Sequence, residues 1–158
     1  MVKKVYIETT IISYLTARPS KNILATAWQE LTKEWWTHRR TYFDLFTSEL
    51  VLAEAYKGDA EAAQRRLNHL EDIPIIATTD SAIEFARRLI NGGPLPEKAI
   101  DDALHIALSA VHRIDYLMTW NFKHIDNAEM KPSIRELCVL HGYHYPEICT
   151  PQELMGEN

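Results

Sequence analysis

Short β-branched or aromatic runs alternate with longer helical stretches along the whole chain, and this alternation limits the fold more than any other feature. Lys3-Lys4-Val5-Tyr6-Ile7-Glu8 reads as a first strand, ending at a Thr9-Thr10 pair suited to capping a helix. Residues 22–40 read as a helix, because Leu24, Trp28, Leu31 and Trp35 recur at spacings of four, three and four. Residues 42–47 form a second strand. Ser48 then caps an apolar helix through Leu50, Val51, Leu52, Ala53 and Ala55, stopped by Gly58. Residues 59–71 read as a charged helix and Ile73–Ala77 as a third strand. An amphipathic helix over 80–91 closes at Gly92-Gly93. Pro94 and Pro96 break the chain before a long helix that runs to about Arg113. Tyr116–Thr119 is a buried-type strand, 133–141 a helix up to Gly142, and Tyr143–Cys149 a last strand. Such alternation predicts an α/β layered fold with a mostly parallel central sheet flanked by helices. With no repeat, low-complexity stretch or linker, residues 1–158 read as a single domain.

Composition narrows the function. With 46% hydrophobic residues and a net charge of −5, the chain is too apolar and too weakly charged to be disordered. No apolar run approaches the roughly 20 residues of a membrane span. Residues 1–17 lack a signal-peptide layout, so the cytoplasm is the expected location. The two cysteines, Cys138 and Cys149, form no CxxC pair and are expected to be reduced thiols. Five glycines, none in a GxGxxG, GxxxxGK or GxSxG pattern, argue against glycine-loop nucleotide sites and the hydrolase elbow. Chemistry must therefore come from side chains.

The strongest local signal lies in Pro96–Arg113. Residues set about 100° apart around a helix place Ile100, Ala103, Leu104, Ile106, Ala107, Leu108, Ala110 and Val111 over more than half its circumference. Such a helix is expected to be largely buried. Its polar strip carries Lys98, Asp101, Asp102, His105, Ser109, His112 and Arg113. An ordinary solvent-facing stripe, with two acids favoured by the helix dipole, accounts for Asp101 and Asp102 equally well when the helix is taken alone.

Its neighbours change the reading. In a parallel α/β sheet, functional groups gather at the carboxyl ends of strands. Glu8 ends the first strand, Ser48 the second, and Asn121 follows the strand that ends at Thr119. Glu54 is the only charged residue between Leu50 and Tyr56, so solvating a face explains it poorly. Carboxylates from three elements can converge on one cleft, where they repel unless a cation neutralises them. An all-oxygen cluster of this kind suits Mg²⁺ or Mn²⁺, ions that activate water for attack on phosphorus.

Four segments in order then resemble the PIN domain, and within it the VapC-like toxin ribonucleases: Val5-Tyr6-Ile7-Glu8-Thr9-Thr10, Ser48 to Glu54, Asp102-Ala-Leu-His-Ile-Ala, and Tyr116-Leu-Met-Thr119-Trp-Asn121. The resemblance runs over nearly the whole chain. It implies a metal-dependent endoribonuclease acting on RNA phosphodiester bonds, of the kind that is the toxin of a type II toxin–antitoxin pair. By position, Glu8, Glu54 and Asp102 are metal ligands or orient water, and Asn121 supports them. Thr9 and Thr119 are hydroxyl neighbours, with Ser48 and Asp101 as further supporting residues. Partners implied are RNA, an antitoxin protein and a second copy of the chain, the last also suggested by the aromatic stripe of residues 24–36. Two departures stand out. Glu8 replaces the usual Asp, shifting a ligand by about 1.5 Å. Asn121 holds the fourth acidic position, and His124 stands where some members carry an acid. They leave a second reading open, a PIN-fold module that binds RNA or protein with weak or no catalysis.

His105, three residues after Asp102, reads as a hydrogen-bonded structural histidine in preference to a ligand for a softer metal such as Zn²⁺. Trp36, Arg39 and Arg40 mix bases with an aromatic ring and are candidate RNA contacts. An acidic chain at first argues against a nucleic-acid partner. Setting aside Glu8, Glu54 and Asp102, however, changes −5 to −2, and a divalent ion reverses the sign where phosphate must approach. RNA binding is therefore expected to depend on metal.

Overall fold

The structure is a computed structural model that describes residues 1–157. Five strands, β1 (Lys4–Ile7), β2 (Asp44–Ser48), β3 (Ile75–Ile76), β4 (Tyr116–Met118) and β5 (Glu147–Cys149), form one sheet in the order β3-β2-β1-β4-β5. Every pairing is parallel. Seven helices flank it among the described residues: α1 (Thr9–Thr16), α2 (Ile23–His38), α3 (Glu49–Ala55), α4 (Ala60–Leu70), α5 (Asp80–Ile90), α6 (Ile100–Val111) and α7 (Lys131–Leu140). This is the α/β architecture the alternation predicts. Parallel strands are covered on both faces, and Val5, Tyr6, Ile7, Leu117 and Met118 are accordingly buried.

The strand order fixes where a site can form. From β1 the chain moves outward to β2 and β3, then returns to β4 on the other side of β1. β1 and β4 thus border the switch point, and the crevice beyond their carboxyl ends is the expected place for a ligand. Glu8 and Thr119 are the residues that immediately follow β1 and β4.

Helix α6 is buried over Ala103 and from His105 to Ala110, as its apolar circumference predicts, and it packs on α5. Its start differs from expectation. A 3-10 turn at Glu97–Ala99 follows Pro96, so α6 begins at Ile100 with Asp101 and Asp102 in its first turn. It ends at Val111, and Arg113 takes a positive φ of 56° to leave it.

Three other elements depart from the sequence reading. Thr9–Thr16 is a helix, although Thr9, Thr10, Ile11 and Ile12 are β-branched residues that favour strands. Burial of Ile11 and Ile12 outweighs that preference, and Glu8, instead of the threonine pair, caps the helix by accepting the Thr10 N–H. The third strand shrinks to two residues because Pro74 has no N–H for the ladder. Only Glu147–Cys149 of the last stretch joins the sheet, after Pro146. Trp35 is wholly buried, which makes it a core residue of the α2 stripe. No described helix is long and apolar enough to cross a membrane.

Candidate functional site

Glu8 leaves β1 with its backbone N–H still bonded to Met118 of β4 at 3.3 Å, which carries its side chain into the crevice. It is only 3% exposed. Its Oε1 accepts from the Thr10 N–H at 3.2 Å, the Thr10 hydroxyl and the Thr119 hydroxyl at 2.6 Å. All three donors fall on one oxygen, leaving Oε2 without a protein donor among the described residues. Burial pushes the Glu8 carboxyl above its usual range, against the field of His105 and these hydroxyls.

Glu54 reaches the same crevice from α3. Its Oε1 accepts the Thr9 hydroxyl at 2.6 Å and lies 2.7 Å from Nε2 of His105. His105, on α6, is fully buried, and its Nδ1 lies 2.6 Å from the Tyr6 hydroxyl. Tyr6 in turn lies 2.7 Å from Ser48 Oγ, which caps α3 by accepting the Val51 N–H at 3.2 Å. A chain of contacts Ser48–Tyr6–His105–Glu54 therefore ties β2, β1, α6 and α3 together. Burial opposes charge on both members of the His105–Glu54 pair, yet their mutual bond and field prevail. They leave the Glu54 carboxyl lowered and the His105 imidazole raised.

Asp102 occupies the neighbouring part of α6. Its Oδ1 accepts the Asn121 amide at 3.1 Å and its Oδ2 lies 3.0 Å from His124 Nδ1. The Asn121 side-chain oxygen Oδ1 accepts the backbone N–H groups of Lys123 and His124, both at 3.1 Å, which fixes the amide's orientation. Thr119 joins the two halves: its hydroxyl donates to Glu8 and accepts the Asn121 N–H at 2.9 Å.

One oxygen each from Glu8 and Glu54 and one ring nitrogen of His105 lie within 4.8 Å of one another, close enough to hold a metal ion after small adjustments. No Lys or Arg side chain bonds either carboxylate among the described residues. His105 pairs with Glu54, while the buried Glu8 carboxyl has no bonded cation, and such charge calls for a cation or a proton. The donor set therefore fits a divalent metal, although Asp102 lies outside this tightest group.

The structure brings Glu8, Glu54, Thr9, Ser48, Thr119, Asp102 and Asn121 together. Asp101 is exposed on the adjoining face of α6, and no hydrogen bond links it to the cluster. Trp36, Arg39 and Arg40 lie at the other end of the sheet, where the strands begin: the Asp44 N–H there bonds Lys3 at 2.9 Å. Arg40 stacks over Trp36 at 4.2 Å, and Arg39 covers Tyr42 while donating to the Leu154 carbonyl at 3.2 Å. Sequence reasoning passed over Tyr6 and Thr10 and left His124 without a role. Tyr6 reads from sequence as an ordinary core aromatic, and only its place next to a strand end marks it.

Five parallel strands in this order, with carboxylates at the switch point, define a PIN-like α/β fold. The fold is shared with the solved structure of VapBC2 from Rickettsia felis bound to a DNA fragment from their promoter. That likeness has a TM-score of 0.53 at 14% identity and covers 93% of this chain and 98% of the other. No family model and no curated protein matches the chain.

Proposed function

We propose that this chain is a Mg²⁺- or Mn²⁺-dependent endoribonuclease, the toxin of a type II toxin–antitoxin pair. One observation carries the reading: carboxylates from β1, α3 and α6 meet in the switch-point crevice with no Lys or Arg bonded to Glu8 or Glu54. The fold likeness to a VapBC2 structure and the ordered motif series support it.

A bound cation in such a site polarises phosphate and supplies a water nucleophile near neutral pH. The chain's own groups do the rest. Glu8 and Glu54 would hold the cation, with Thr10 and Thr119 engaging Glu8 Oε1 and leaving its second oxygen free of protein donors among the described residues. Asp102, clamped by Asn121 and His124, holds or orients the water. Trp36, Arg39 and Arg40 are too distant for the scissile phosphate, since about 12 Å of helix separates Trp36 from the Trp28 turn beside Trp120. They are assigned to flanking RNA or to a protein partner. An antitoxin and a second copy of the chain are partners of the same proposal.

Asp102→Asn tests the reading: RNA cleavage is lost while the circular dichroism spectrum is kept. Full EDTA-sensitive cleavage by that variant overturns it. A second reading, a binding module without catalysis, draws on Glu8 and Asn121 and on the full engagement of both Asp102 oxygens. Calorimetry that finds no Mn²⁺ binding at millimolar concentration selects it.

A further inference from the structure

We propose that His105 Nε2 is itself a ligand to the cation, with the Tyr6–Ser48 hydroxyl pair fixing the ring from behind, and that the site therefore prefers Mn²⁺ to Mg²⁺. The proposal rests on the metal-dependent reading above, and departs from the all-oxygen cluster expected there.

Geometry points to it first. The Nε2 atom is 2.7 Å from Glu54 Oε1, and the three candidate donor atoms fall within one 4.8 Å group that Asp102 does not enter. Ligands bound to one ion at about 2.1 Å sit roughly 3–4 Å apart, so little movement is needed. The ring has no freedom to turn away. It is fully buried, with Tyr6 Oη 2.6 Å from Nδ1 and packed edge-on at 5.7 Å between ring centroids.

The hydroxyl pair makes ligation chemically consistent. A metal-ligating imidazole donates its other N–H to an outer partner, which fixes the tautomer. With Nε2 on the cation, Nδ1–H would donate to Tyr6 Oη at 2.6 Å and Tyr6 onward to Ser48 Oγ at 2.7 Å. Without a cation Nε2–H donates to Glu54; in the loaded site the cation takes the place of that proton, which leaves to solvent. Tyr6 belongs to a strand whose neighbouring residues are all aliphatic or charged, so its hydroxyl is the one polar group β1 sends beneath His105.

Selectivity follows from ligand type. Mg²⁺ demands oxygen ligands and near-ideal octahedral geometry, whereas first-row transition ions accept imidazole together with carboxylate. Mn²⁺ takes both donor types and the water ligands of an open crevice.

The test uses the full chain loaded with Mn²⁺, without RNA, and reads histidine ¹⁴N coupling by pulsed electron paramagnetic resonance. The coupling is expected in the wild type, is replaced by the ¹⁵N pattern after histidine labelling, is lost in His105→Gln and is kept in His124→Gln. Competition with Mg²⁺ should show a preference for Mn²⁺. His105→Gln should remove most of it. Tyr6→Phe, which keeps the ring packing, should weaken Mn²⁺ by roughly tenfold, the scale of outer-shell losses. Bound Mn²⁺ with no nitrogen coupling, coupling that disappears with His124 instead, or no Mn²⁺ binding at millimolar concentration overturns the proposal. If His105→Gln does not fold, wild-type labelling together with retention of the coupling in His124→Gln decides the point. Coupling without RNA cleavage defeats the nuclease reading and leaves this one standing; cleavage with an all-oxygen Mn²⁺ does the reverse.

Discussion

Oδ2 of Asp102 stands 3.0 Å from Nδ1 of His124, 22 positions further along the chain, while its Oδ1 accepts the Asn121 amide at 3.1 Å. The segment leaving β4 therefore grips both oxygens of the carboxylate on α6. A histidine at the position of an expected acid lowers the negative charge of the crevice without leaving Asp102 loose.

If Asp102 works through its orientation, either clamp should matter to turnover more than to folding. Asn121→Ala and His124→Ala should each lower kcat for RNA cleavage by about 10–100-fold, the scale seen for outer-shell residues. Thermal stability should change little, because His124 and Asp102 both retain some solvent exposure, 13% and 22% of their side chains. Steady-state kinetics decide: a rise in KM at constant kcat assigns these residues to binding instead.

Glu54 and His105 set opposite flanks of the metal-free stability profile. Burial raises the Glu54 carboxyl, but the bond and charge of His105, the Thr9 hydroxyl and Lys57 prevail and leave it lowered. Its contribution is present above the unfolded value of about 4.3 and is lost as pH falls through the lowered folded value. Burial lowers His105, but the Glu54 bond and the fields of Glu8, Glu54 and Asp102 prevail and leave it raised. That contribution is complete below about 6.5 and is lost as pH rises through the raised value. In EDTA, the melting temperature should peak between these limits, and Glu54→Gln should flatten both flanks.

Glu8 has the opposite sign. Burial raises its carboxyl in the fold, so ionising it costs stability as pH rises past the unfolded value. Glu8→Gln keeps an oxygen to cap α1 and removes the charge. Near neutral pH it should melt higher than the wild type in EDTA, and should lose the stabilisation that Mn²⁺ gives the wild type. A lower melting temperature in EDTA contradicts this account.

Thr10 serves two neighbours at once: its hydroxyl donates to Glu8 and accepts the Trp120 N–H at 2.8 Å. Thr10→Val leaves that backbone N–H without a partner beside a buried ring. Urea unfolding should show a loss of about 1–3 kcal/mol, the cost of an unsatisfied buried donor. Thr10→Ser, which keeps the hydroxyl, should recover most of it.

Cys138 and Cys149 are buried free thiols. Burial pushes Cys138 up to about 11 and Cys149 higher still. Ellman's reagent at pH 8 should find neither in the native protein and both in urea. Rapid reaction of the folded chain rules out the burial described.

Much of this was legible from residue order, for identifiable reasons. The sheet follows from strand and helix periodicity, and Glu54 stands out because a lone acid on an apolar helix has little business in a solvent face. A helix start was legible at Thr9-Thr10, but its extent was not, because Thr9 to Ile12 carry strand propensity and only tertiary burial of Ile11 and Ile12 overrides it. His105 was read as a hydrogen-bonded histidine, which it is, but its second identity depends on Tyr6, 99 positions away. No local spacing encodes that. The distance of Trp36, Arg39 and Arg40 from the carboxylates was not legible, because sequence gives no sign of which end of a parallel sheet a helix terminus reaches.

The bond from Thr119 to Glu8 spans 111 positions. Glu8, Glu54 and Asp102 are all made before the strand that completes the crevice and the Thr119 hydroxyl that holds Glu8. Parallel pairing of this range is slow to form and closes only after both partners are available. A chain interrupted before β4 would carry all three carboxylates and no enclosed site. Whatever this pocket does is thus withheld from the growing polypeptide until Thr119 has been added.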